Sequence, residues 1–129
     1  MTCASHADRF EAGIRLFNDG RFFECHEVWE ALWKETRGDQ KIFQQGMIQA
    51  AAALLNAERH SWRGAASLGD KALAKLDRFD AAYAGIALGE FRLALREFLA
   101  AAANAKREGG PAVMPPYPKL RRLPAPDSS

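Results

Sequence analysis

The residues best equipped for chemistry lie in the stretch Arg21-Phe22-Phe23-Glu24-Cys25-His26-Glu27-Val28-Trp29-Glu30-Ala31-Leu32-Trp33-Lys34. It holds one histidine, three glutamates and two of the three tryptophans. At helical pitch Phe22, Cys25, Trp29, Leu32 and Trp33 share a face, with Val28 on its flank and His26 at its border. Glu30 follows His26 by one turn and lies beside it, while Glu27 and Glu24 point further round. An imidazole and a carboxylate so placed can supply one nitrogen and one oxygen ligand to a metal, with Glu24 or Glu27 as general base. The zincin helix requires a second histidine four residues after the first, and that position here is Glu30. The Glu-x-x-His repeat of di-iron bundles is absent as well. A metal held by His26 and Glu30 would need a third ligand from the third helix or from His60.

The same groups also suit a structural task. Gln45, Gln49, Ala52 and Asn56 fall on one stripe of an otherwise apolar helix. Amides buried there need partners, and an amide can both donate and accept. His26, Glu27 and Glu30 are the natural candidates, in a buried His/Glu/Gln network that would fix the register of two helices.

Other clusters carry less chemistry. Trp29, Trp33 and Trp62 would cage a cation only if exposed, and their spacing points to the core. Arg59, His60 and Arg63 flank a helix end, where cations suit the dipole. Lys119, Arg121 and Arg122 form a short basic patch without interleaved aromatics beyond Tyr117. With a formal net charge of only +2, neither nucleic acid nor a membrane is expected as partner. No Gly-rich phosphate loop and no Gly-x-Ser-x-Gly elbow occurs, so no cofactor is expected. Cys3 and Cys25 have no zinc-ligand spacing and read as free thiols in a reducing cytosol. The stretch from Met1 to His6 lacks a basic region followed by an apolar run, so no signal peptide is expected.

The elements that must position these residues are helices. The first starts near Ser5, carries Ala7, Phe10, Ile14 and Phe17 on its apolar stripe, and stops at Asn18-Asp19-Gly20. The second is the stretch above and ends around Thr36-Arg37-Gly38-Asp39, with Asp39 able to cap the next. The third, roughly Gln40 to His60, is apolar on most sides and belongs at the centre, with Met47, Ile48, Ala51, Leu54 and Leu55 as core. A fourth opens at Ser61 and turns Ala65, Leu68, Gly69, Ala72, Leu76 and Phe79 inward. A looser connection over residues 79–87 leads to a fifth, about Leu88 to Ala105, and no strand is expected. The spacing thus predicts an all-α bundle of about five helices with antiparallel hairpins over residues 1–108. Beyond Gly109-Gly110-Pro111, residues 109–129 are too rich in proline for regular structure and should run as an extended, partly disordered tail.

The central residues also carry a resemblance. Asn18 to Trp33, Phe43 to Leu54 and Arg63-Gly64-Ala65 resemble the bacterial family catalogued as domain of unknown function 309. The pattern Phe-Glu-x-His-Glu-x-Trp-Glu followed by Gln-Gly-x-Ile-Gln carries the likeness, which spans roughly Phe10 to Phe79. It implies a compact all-helical fold with no established activity. The family's polar positions fall here on Glu24, His26, Glu27, Glu30, Gln45 and Gln49, with Cys25 and Asn56 as small departures. One helix pair is also similar to a tetratricopeptide hairpin, but no 34-residue recurrence follows it. The residues therefore point to a cytoplasmic binding or assembly module, meeting a protein partner or a second copy. The competing reading is a metal-assisted hydrolase or small-ligand pocket built on His26, Glu27 and Glu30.

Overall fold

Ser5 opens the first helix, α1 (His6–Asn18), through a capping box: its hydroxyl accepts from Asp8 N at 3.1 Å and its own N–H reaches Asp8 Oδ2. The computed structural model describes residues 5–108 and 114–124. After α1 come α2 (Phe22–Lys34), α3 (Asp39–Glu58) and α4 (Trp62–Leu76). A two-stranded hairpin, β1 (Ala82–Tyr83) and β2 (Ile86–Ala87), then leads into α5 (Leu88–Glu108). The described residues form an all-α bundle of five helices, as the apolar spacing requires.

Glycines set how closely the helices meet. A Cβ on Gly13 of α1 would overlap the Trp29 indole, and one on Gly46 of α3 would come within 2.9 Å of Leu76. In α4 the Leu99 side chain of α5 lies where a Gly69 Cβ would be. The most extensive interface joins α3 to α4, and α3 also packs on α2. Ten of its residues are buried, including Met47, Ile48, Ala51 and Leu54, which makes α3 the central helix. Leu55 is only half-buried, and Ala7, expected on the α1 stripe, is exposed. The cap of α3 falls on Gly38, at φ 69°, with Asp39 as the first helical residue.

The core is threaded by aromatic rings. Phe10 stacks on Trp29 at 5.4 Å between centroids, and Trp29 stacks on Phe17 at 6.0 Å. Phe17 meets Phe22 and Phe91 edge-on, while Phe10 leads through Phe43 to Tyr83 and Phe79. Such pairs add orientation to the burial of large apolar surfaces.

Two segments depart from what periodicity suggests. The connection after α4 contains a hairpin, pairing Ala82 with Ala87 and Tyr83 with Ile86. Ala84 (φ 54°) and Gly85 (φ 77°) both adopt left-handed conformations, the geometry of a tight I′-type turn. Strands of two residues are too short to show alternation, and Ala-Gly is not an Asn-Gly signal. The second departure is the tail. Residues 114–124 are extended, as the prolines demand, yet they are docked rather than free. Leu120 is buried, Tyr117 lies between Phe22 and Phe98, and Arg122 bridges Ile86 of β2. Asn18 clasps this strap, donating to Leu120 O at 2.9 Å and accepting from Leu120 N at 2.8 Å. The rest of the expected tail, residues 109–113 and 125–129, lies outside the described residues, as does Cys3.

Candidate functional site

Because Phe22, Cys25, Trp29 and Leu32 turn inward, the residues roughly a quarter-turn or more away must face out. His26, at that border, keeps 31% of its side chain exposed and places Nδ1 3.4 Å from Glu30 Oε2. Glu30 itself is 45% exposed. Glu24 belongs to a different contact: Arg21 Nε donates to its Oε1 at 3.0 Å. Glu27 is exposed, and among the described residues it makes no ion pair or side-chain hydrogen bond. Together with Phe23, Ala31 and Lys34, the residues His26, Glu27 and Glu30 line a shallow depression of about 380 Å³. All six stand on α2.

The expected His/Glu/Gln network is therefore not assembled. Among the described residues no hydrogen bond joins Gln45 or Gln49 to His26, Glu27 or Glu30. Gln45 is half-buried, and the buried Oε1 of Gln49 has no partner among the described residues. The physical reason is rotational. The helix that buries Phe22, Cys25, Trp29 and Leu32, with Phe22 and Trp29 set against the phenylalanines of α1, carries its glutamates past the interface and into solvent.

A different polar trio does cross the bundle. His6 Nε2 lies 3.0 Å from Thr36 Oγ1 and 3.1 Å from the Gln44 amide, and Thr36 donates to Leu32 O at 2.7 Å. Thr36 and Gln44 are the buried polar residues among those described. The available signal was Gln44 itself, three residues before the core Met47 and next to Phe43, on the buried side of α3. His6 and Thr36 stand at helix ends, where no periodicity marks them.

Cys25 is not a reactive thiol. It is fully buried, and that burial pushes its ionisation far above the usual thiol range. His26 and Glu30 could supply two ligands to a metal. Among the described residues no group of three His, Cys, Asp or Glu is placed to hold one.

These features define an all-helical protein whose second helix carries a histidine–glutamate pair on its outer side. Residues 10–68 match the family model described as Domain of unknown function (DUF309). The match contains the α2 strip, the Gln45 and Gln49 positions and the start of α4, and it ends short of Phe79. No curated protein matches the chain. Among the described residues no helix is long and apolar enough to cross a membrane.

Proposed function

We propose that the chain is a binding module of the reducing cytoplasm, presenting the outer side of α2 to a protein partner with basic side chains. The observation that carries this reading is Phe23, 53% exposed at the N-terminal end of a strip that continues through Glu27 and Glu30 to Lys34. Exposed aromatic side chains with polar neighbours are frequent anchors of protein interfaces. The carboxylates that follow Phe23 along the strip select by charge, favouring a basic partner. Pairing two copies of this face about a two-fold axis would set glutamates against glutamates, which disfavours self-association through α2. An enzyme site fits less well, because catalytic groups converge from several elements into a concave pocket. A free, buried Cys25 agrees with a reducing compartment.

A photo-crosslinking amino acid introduced at the exposed Ala31, in cells that express the chain, tests the proposal. One discrete adduct with another protein is expected, lost on combining Glu27→Arg with Glu30→Arg. An adduct of twice the chain's own mass would establish self-association instead, and absence of any adduct would remove the case for a partner on α2.

A further inference from the structure

A second cavity, of about 500 Å³, opens between α1, α3 and the β1–β2 turn, and the strap closes one side of it through Arg122. Its size lies within the range of small-molecule sites, roughly 300–1,000 Å³. Apolar surface reaches it from the exposed Ala7 and Ala84, from the half-buried Tyr83 and from Phe10. Nothing in the α2 strip contributes to it, so the cavity is independent of the proposed protein interface.

The charges at its edge do not cancel. Glu11 is the one acidic residue of the wall among the described residues, and two guanidiniums share it. Arg15 Nε lies 3.4 Å from Glu11 Oε1, and Arg122 Nη1 pairs with Oε2. Two cations against one carboxylate leave one positive charge in excess. Exposure decides which sign an entering molecule meets. Glu11 Oε2 is buried and its side chain only 22% exposed, whereas the Arg122 side chain is 54% exposed. Arg122 meets Glu11 through Nη1, and among the described residues its Nε and Nη2 have no hydrogen-bond partner. A guanidinium presents its donors in a planar fork that matches a carboxylate.

Backbone bonds hold this guanidinium at the wall. Arg122 bridges Ile86, and on either side Ala87 N–H donates to Arg121 O at 3.0 Å and Leu123 N–H donates to Gly85 O at 2.9 Å. A donor positioned before binding loses little freedom on binding. The same bonds couple occupancy of the cavity to docking of the strap, since Arg122 stands at the wall only while the strap is docked. We infer that this cavity binds a small organic monoanion, a carboxylate with an aromatic or branched apolar body that pairs with Arg122, and that the bound anion holds the strap in place.

Benzoate, benzamide and benzylammonium share a ring and are negative, neutral and positive. Each is titrated into the full chain at neutral pH while the Ile14 methyl, on the cavity wall, is followed by NMR. Benzoate should saturate the shift and bind roughly tenfold more tightly than benzamide, with benzylammonium weakest. Arg122→Gln keeps the backbone bonds of the strap and should bring benzoate down to the level of benzamide, leaving benzamide itself unchanged. Ala7→Phe, at an exposed position of the wall, should block all three. Benzoate at about ten times its Kd should slow hydrogen exchange of the Leu120 amide roughly tenfold, because only the docked state binds it. Benzamide binding as tightly as benzoate, or benzoate binding unchanged in Arg122→Gln or Ala7→Phe, would overturn the assignment. Loss of benzamide together with benzoate in Arg122→Gln, or a Leu120 exchange rate indifferent to benzoate, would overturn it as well.

Discussion

Gly13 faces the Trp29 indole so closely that a Cβ would overlap the ring, and the same indole donates to Phe10 O at 3.2 Å. Trp29 can keep that hydrogen bond and its stacking on Phe10 only while residue 13 has no side chain. Gly13→Ala is expected to destabilise by about 1–3 kcal/mol through overpacking, measured by urea unfolding. Leu54, fully buried in α3, should cost about 2–5 kcal/mol when truncated to Ala by the same measurement. His26→Ala should behave differently. Its contact with Glu30 is exposed, so a change within about 0.5 kcal/mol is expected. A loss of about 1–3 kcal/mol would reveal a buried lock that the geometry does not contain. The inward face of α2 was legible in the spacing of Phe22, Cys25, Trp29 and Leu32, because burial of large apolar groups outweighs every other local preference. The fate of His26 was not. A border residue is decided by a few tens of degrees of helix rotation, which no period reports. Gln44 and the neighbouring Gln45 are the same residue type one position apart, and only the places of His6 and Thr36 give Gln44 its partners.

At the scale of elements, the helices were readable because each carries an apolar stripe and α1 and α2 carry glycine stops. Gly20, at φ 79°, ends the α1 turn, and Gly38, at φ 69°, precedes α3. The end of α4 is held by a residue far along the chain: Arg92 of α5 donates to Leu76 O at 2.7 Å and Phe79 O at 2.8 Å. No local rule announces such a cap. The strap shows the same limit. Its prolines declare that it is neither helix nor central strand, but not that Tyr117 docks between Phe22 and Phe98. Removing residues from Met114 onward should therefore lower the denaturation midpoint, where an undocked tail would leave it unchanged. Docking should also respond to alkali. Burial, and then the negative charge of Glu58, raise the Tyr117 phenol above its ordinary value. Its folded ionisation thus lies above the unfolded one. The stabilisation is fully present below the unfolded tyrosine range, about pH 10, and is lost as pH rises through the folded value. Ultraviolet titration of the phenolate, read beside tryptophan fluorescence, checks this. Tyr117→Phe should keep the strap docked at higher pH, and an unchanged alkaline transition would assign it to another group.

For the molecule as a whole, most helix contacts join consecutive elements: α1 with α2, α2 with α3, α3 with α4 and α4 with α5. Contacts of that kind form early, because little chain must be closed to make them. The clasp between Asn18 and Leu120 is of the opposite kind, joining positions 102 residues apart. It adds order to the history of the fold. The helical body can assemble before the strap arrives, and the wall that Arg122 lends to the cavity is in place only afterwards. The Leu120 amide, whose N–H is held by the Asn18 side chain at 2.8 Å, acts as the timer of that last step. Its hydrogen exchange should be faster than that of the α3 amides near Leu54, since releasing the strap requires no opening of the central helix. A molecule caught between the two events has its helices packed, a core still lacking Leu120 and an unfinished cavity.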